Sequence, residues 1–287
     1  MGKANKVKGD LVNVNELFDL IQVLKDVADN KFHALISQKD RFARFGESFI
    51  EFFRLISLTE VKHPLLTNDN PTVGILVITS EGRFLGDLNT KVIRTALSEK
   101  VKYPNSALIV IGKKGAFTLS STMEVMKVFE DIDKVGLYET ANHAKDFLIQ
   151  EVKANRIGRV IAVYPWPKNL NLIKPRIVKL LPCEDLLAKQ AELVDTIERV
   201  IQESDVTEII GYLANIWLAT RIYEMLYDMN IAAAAAQSQQ LENSLNKMKK
   251  ERTLARIKFR KAKKSDIDAS LREVFSAKLM LEKKAHR

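Results

Sequence analysis

The chain has 287 residues, 46% hydrophobic and 28% charged, with a formal net charge of +9. That length holds one large domain, or one domain and an extended element, and the composition is ordinary for a water-soluble fold. A single cysteine, Cys183, excludes intrachain disulfides and a cysteine-based zinc site, and no apolar run is long enough to span a bilayer.

The first residues, Met1 to Lys6, lack the apolar core of a signal peptide, and Lys6 stands where a myristoylation pattern needs Ser or Thr. From Asp10 to Phe45 there is no Gly or Pro. Leu17, Ile21, Leu24, Ala28 and Phe32 recur at three- and four-residue steps, which predicts an amphipathic helix. Asn13 or Asn15 is placed to cap its start, and Gly46 marks a break.

The middle alternates. Val73 to Ile78 is an apolar run between Pro71 and Ser80-Glu81-Gly82, and reads as a buried strand. Leu88 to Leu97 is helical in pattern, and Ala107 to Ile111 is a second strand closed by Gly112-Lys113-Lys114-Gly115. Thr122 to Phe129 and Thr140 to Val152 are expected to be helices, and Val160 to Tyr164 and Ile177 to Leu181 strands. Such alternation predicts an α/β domain with a mainly parallel sheet. Helical pattern returns from Glu184 to Glu203 and leads through Gly211 into the last stretch.

Tyr212 to Arg287 contains no Gly or Pro and includes five consecutive alanines, Ala232 to Ala236. Leu241, Leu245, Met248, Ala255, Phe259 and Ala262 form one apolar row, and Ile267, Leu271 and Val274 follow in a shifted register, which predicts an irregular coiled coil. A helix from Met229 to the end would be about 90 Å long, too long for a domain of this size to bury. The economical arrangement pairs the first and last helices antiparallel. Charge is concentrated here: Lys247 to Arg287 holds fifteen Lys and Arg against five Asp and Glu. Either the lysine-rich face is simply solvated or it meets an acidic or polyanionic partner.

No catalytic constellation emerges. Gly82 to Asp87 follows a strand and precedes a helix, but lacks the spacing of a dinucleotide or P-loop motif. Gly112-Lys113-Lys114-Gly115 reads as a solvated turn in preference to a phosphate cradle. His33, His63, His143 and His286 are scattered without a second ligand at metal spacing, and Glu184 and Asp185 beside Cys183 would raise a thiol pKa. The expectation is a chain without cofactor, metal or active site of its own.

Three segments, in order, resemble the gamma subunit of F-type rotary ATP synthases. Thr79 to Asn89 aligns without a gap to the family's T-S-D-x-G-L-C-G-G-x-N turn. Val23 to Phe32 is similar to its A-M-x-M-V-A-x-x-K-L, and Phe259 to Val274 to its Y-N-x-x-R-Q-A-x-I-T-x-E-L-x-E-I; Val110 to Gly115 is also similar to I-G-x-K-G. Arg83 and Asp87 replace glycines of the first motif, and Ala233 and Gln237 stand where an acidic and a basic residue are usual, so the chain reads as a divergent member.

The resemblance implies a long antiparallel coiled coil (1–60 with 204–287) and a small Rossmann-like α/β domain (70–203). It implies a non-catalytic rotor on the inner face of the cell membrane, at the cytoplasmic side, with no membrane insertion of its own. The partners implied are a hexamer of alpha- and beta-type catalytic subunits, an epsilon-type subunit and a membrane c-ring. Leu24, Lys25, Lys263, Lys264 and Asp268 would meet the hexamer as a catch, and Val274, Phe275, Ala277, Leu279 and Met280 would form its bearing surface. Other readings are an ATPase rotor adapted to another mechanical task, a nucleic-acid binder using the basic helix, and a small-molecule enzyme with a helical tail. Phe259 and Phe275 are the basic segment's only aromatics and no reading motif is present, which disfavours nucleic acid.

Overall fold

A computed structural model describes the backbone of residues 3–54, 63–183 and 206–285, and the side chains of 4–39, 63–183 and 207–279. In chain order these form α1 (Lys3–Arg54), β1 (Val73–Ile78), α2 (Leu88–Lys102), β2 (Ser106–Ile111), α3 (Lys113–Ser120), β3 (Val125–Phe129), α4 (Ile132–Val135), α5 (Leu137–Lys153), β4 (Arg159–Asn169), β5 (Leu172–Leu181) and α6 (Val206–Ala285). They divide into two compact units, residues 28–237 and residues 1–27 with 238–287. The helix expected over Glu184 to Glu203 lies outside the described residues.

The larger unit is built on a five-stranded sheet in the order β3-β2-β1-β4-β5, parallel except for β5, which returns antiparallel beside β4. All six residues of β1 are buried, because it lies at the centre with helices on both faces. Val73, Ile75, Val77, Leu108 and Val110 point to the face covered by α2 and α3. Leu76, Ile78, Ile109 and Ile111 point to the other, against Ala144 and Leu148 of α5 and Leu218, Ile222 and Leu226 of α6. This is the period-two alternation that a doubly covered strand turns into a continuous apolar run.

Four expectations are corrected here. Thr122 to Phe129 is not a helix: Val125–Phe129 is the edge strand β3, paired in parallel with β2. Its Val and Phe residues suit a pleated surface, and ladder pairing overrides the helical spacing. Gly112-Lys113-Lys114-Gly115 is not a solvated turn: Gly112 precedes α3, and Gly115 is buried inside it. Gly46 does not break α1, which runs on to Arg54; one glycine costs a helix only about 1 kcal/mol. Asn13 and Asn15 cap nothing, since α1 starts at Lys3.

The smaller unit is an antiparallel helix pair. Ala4 N–H of α1 donates to Asp266 Oδ2 of α6 (3.0 Å), Arg252 lies over the Phe18 ring (4.9 Å), and Lys25 Nζ meets Glu242 Oε2 (3.5 Å). As numbers rise along α1, their partners fall along α6, which fixes the direction. On α6 the covered positions include Leu241, Leu245, Met248, Arg252, Ala255, Phe259, Ala262 and Asp266, a row that alternates steps of four and three without a slip. On α1 they are Ala4, Val7, Leu11, Val14, Phe18, Ile21 and Lys25. The seam is therefore one heptad register rather than an irregular one. Leu17 and Leu24, expected to face inward, are 47% and 38% exposed. Ile267, Leu271 and Val274 lie beyond the level at which Ala4 meets Asp266, and all three are exposed.

The close approach of α3 to the end of β1 rests on two glycines. A Cβ on Gly115 would sit 2.3 Å from Thr79 Oγ1, and one on Gly112 the same distance from Thr79 O. Gly115→Ala is expected to lower stability by about 1–3 kcal/mol, read by urea unfolding. Adding Thr79→Ala should recover part of that loss; strict additivity of the two substitutions would contradict the packing described.

Candidate functional site

Where an α/β domain of this type binds ligands, at the carboxyl ends of its parallel strands, this chain places a side chain of its own. Glu81, just after β1, accepts hydrogen bonds at Oε1 from the backbone N–H of Lys113 (2.9 Å) and Asp131 (3.0 Å), and at Oε2 from Ile132 N–H (3.1 Å). These amides open α3 and α4, where unpaired N–H groups and the helix dipole favour an anion. The carboxylate thus fills the position a phosphate would take. Thr79 Oγ1 donates to Ile111 O (3.0 Å), while Asn89 exchanges two hydrogen bonds with the backbone of Ser80 (3.0 and 2.8 Å). Lys114 Nζ donates to Gly82 O. The Thr79–Asn89 motif is thus a turn whose polar groups are held partly by one another and partly by the starts of α3 and α4. Its glycine replacements are accommodated: the left-handed positions are Phe84 (φ 57°) and Gly86 (φ 56°), not Arg83 or Asp87. Glu81 was quoted in the motif, but its role was not legible, because nothing local says that two helix starts converge on it.

Among the described residues no group of His, Cys, Asp and Glu is arranged to hold a metal ion. His33 and His143 are exposed, and His63 is buried with Nδ1 accepting from Leu65 N–H (3.2 Å). Burial first, then Lys153, lowers the pKa of His63. Cys183 is buried.

Perturbed carboxylates cluster instead on α6 in the larger unit. Asp228 is buried against Lys39 of α1, with Nζ 2.6 Å from Oδ1. Burial raises its pKa, against the opposing pull of the hydrogen bond and charge of Lys39. Burial likewise raises Glu224, opposed by Arg221 at 2.8 Å. Asp228 and Lys39 join α6 to α1, Arg221 and Glu224 form a pair within α6, and neither pair shows a reacting geometry.

The residues expected to meet a partner lie in the helical unit. Lys263 and Lys264 are exposed, Asp268 is half-buried, and Val274, Phe275 and Leu279 are 66%, 65% and 60% exposed. The side chain of Met280 lies outside those described. Lys25 holds Glu242 across the seam. Leu24, by the register of the pair, is level with α6 some seventeen or more residues before Lys263, a separation of roughly 25–30 Å at 1.5 Å per residue. The structure therefore does not bring Leu24 together with Lys263 and Lys264 in one patch. Leu20 and Val23 of α1, outside the apolar stripe read from the sequence, are also exposed, at 55% and 58%.

A protein-family model described as ATP synthase matches residues 3–278. The chain is 20% identical over 283 residues to the ATP synthase gamma chain of Maridesulfovibrio salexigens, covering 96% of this chain and 97% of that one. It is 25% identical over 227 residues to the ATP synthase gamma chain of Pelotomaculum thermopropionicum, covering 77% and 78%. Among solved structures its fold is similar to a chain of the Euglena gracilis mitochondrial ATP synthase, in a structure of OSCP, F1 and c-ring. The TM-score is 0.61 at 15% identity, with 97% of this chain and 94% of that one covered. A chain of the Tetrahymena thermophila mitochondrial ATP synthase central stalk and c-ring gives a TM-score of 0.60 at 17% identity, covering 78% and 99%.

Removing the Glu81 carboxylate strands three backbone amides. Glu81→Ala is expected to cost about 1–3 kcal/mol in urea unfolding, with Glu81→Gln intermediate; an unchanged midpoint would deny the carboxylate its role. A second expectation concerns pH. Because the folded-state pKa of Asp228 is raised from 3.8, its contribution is most favourable below that value and is lost as pH rises through the folded value. Asp228→Asn should therefore flatten the fall of thermal stability above pH about 4, and a slope identical to the parent chain's would refute this.

Proposed function

The chain belongs to the ATP synthase gamma-chain family, and we propose that its helix pair turns inside a hexamer of alternating alpha- and beta-type catalytic subunits, while its α/β domain meets an epsilon-type subunit and a membrane c-ring. It is a non-catalytic rotor subunit: nucleotide chemistry belongs to partners, and this chain carries the mechanical coupling. The Euglena and Tetrahymena chains of similar fold come from assemblies that contain a c-ring, which supports that partner here. No helix among the described residues is long and apolar enough to cross a membrane, so attachment to the inner face of the cell membrane, on the cytoplasmic side, would run through those partners.

The observation that carries this reading is the outer surface of the helix pair. Its seam takes up the covered heptad positions, yet Leu20 and Val23 of α1 and Leu271, Val274, Phe275 and Leu279 of α6 remain exposed. Apolar side chains on a solvent face mark an interaction surface. A shaft that turns in a sleeve needs contacts that are apolar and loosely keyed, since a directional bond would hold one angle. We assign Val274, Phe275, Leu279 and Met280 to this bearing, and Leu24, Lys25, Lys263, Lys264 and Asp268 to contacts with the catalytic subunits. Lys247 to Lys264 would face acidic loops. Each exposed ion pair contributes up to about 1 kcal/mol, so the summed field, and not one lysine, biases the angle.

The purified chain alone is expected to hydrolyse no ATP, and to stimulate hydrolysis by its cognate hexamer. Deleting the residues after Lys264 should weaken assembly or uncouple it, whereas Lys263→Ala should change affinity less than about fivefold. Enzyme-like ATP turnover by the isolated chain would overturn the rotor reading.

A further inference from the structure

Six consecutive residues of α6, Ile231 to Ala236, are all buried. At 3.6 residues per turn, six in a row face every direction, so the helix is covered around its whole circumference there. Three elements make the cover. Phe32, Leu35 and Ile36 of α1 pack in one cluster with Ile231, Ala234 and Ala235. Leu85 and Leu88, from the turn after β1 and the start of α2, pack with Ala232, Ala233 and Ala236. Ile173 at the start of β5 packs against both clusters.

Five methyl groups form a nearly smooth cylinder. It seals densely against its collar but presents no ridges to lodge in grooves, so shape alone resists turning and sliding poorly. Directional contacts stand at both ends of the block. On one side Tyr227 Oη donates to Leu35 O (2.9 Å) and lies 3.2 Å from Gln38 Oε1, and Asp228 pairs with Lys39. On the other, Gln237 Nε2 donates to Arg83 O (2.9 Å). Gln237 thus reaches the turn that Glu81 pins to α3 and α4. The charged pair usual in the family is absent at Ala233 and Gln237, and an amide-to-carbonyl bond stands in its region instead.

We propose that Tyr227, Asp228 and Gln237 are positioning residues that lock α6 in angle and height within the alanine collar, Tyr227 and Asp228 against α1 and Gln237 against the turn after β1, so that the two helices and the α/β domain turn without play. The inference rests on the rotor reading above. The core packing of Leu218, Ile222 and Leu226 couples α6 to the α/β domain, and the three keys remove the play that the smooth alanine segment leaves between α6, α1 and the turn after β1.

The test follows a probe attached at Thr118→Cys, exposed on α3, in a Cys183→Ser background, while the immobilised cognate hexamer hydrolyses ATP. The parent assembly should show narrow angular dwells. Tyr227→Phe, Gln237→Leu and the paired change Lys39→Met with Asp228→Leu should each broaden those dwells while ATP turnover stays near the parent rate. In Gln237→Leu, amide exchange of residues 82–88 should also rise about fivefold, the effect of one lost hydrogen bond. Tyr227→Phe keeps the ring and isolates the hydroxyl, so it decides the matter even if the bulkier changes misfold. Unchanged dwell widths in folded Tyr227→Phe and Gln237→Leu would overturn the proposal. A parent probe that never turns would overturn the rotor reading instead.

Discussion

Between Ile231 and Ala236 three elements converge on one helix from all sides, and from Ala232 onward every side chain in that enclosure is a single methyl group. That constraint ties together features remote in sequence. It explains an alanine run in a chain otherwise rich in long side chains. It requires the turn after β1 to come close to α6, and the Thr79–Asn89 motif is held for this by the Ser80–Asn89 bonds within it and by Gln237 of α6 on Arg83 O. It also requires the β4–β5 hairpin to bring Leu170 and Ile173 against the same helix. An alanine helix is well formed by propensity alone, so the segment can be both rigid and thin.

The α/β unit is a fold often used for nucleotides, yet here its ligand position is filled from within. Glu81 supplies the negative charge that the helix starts of α3 and α4 attract, and three backbone donors are satisfied without any bound group. Architecture alone does not dictate activity. A rotor's domain needs stiffness more than a binding cleft, and an internal anion joining three segments provides it. In the helix pair, by contrast, polar groups sit on the seam itself: Lys25, Arg252 and Asp266 interrupt an otherwise apolar heptad row. Polar seam residues lower stability but specify register, which suits a shaft whose two strands must not slide.

Much of this was readable in advance. The buried strands were evident because runs such as Val73 to Ile78 carry no polar residue, and the helices because long stretches lack Gly and Pro. Two kinds of feature were not. β3 was read as helix because Met123, Val125, Met126 and Val128 carry no period that separates edge strand from helix, and only pairing with β2 decides it. The inward face of α1 was misjudged at Leu17 and Leu24, since apolar residues stand on both the seam and the outer surface, and composition cannot tell a core from a bearing. The functional surface was thus hidden by the property that makes it functional. The collar was equally invisible, because its parts come from Phe32, Leu85, Ile173 and Ala233, which nothing local connects.

The central claim is that α1 and α6 turn as a single body in one register. It is tested most directly by replacing Lys25 and Glu242 with cysteines, joining them with a short bismaleimide, and measuring ATP hydrolysis by the assembled complex. The account predicts that the bridge forms in high yield and that hydrolysis continues at the unbridged rate. Failure of the bridge to form, or arrest once it has formed, would mean that the helices are paired differently or must move past one another, and would contradict it.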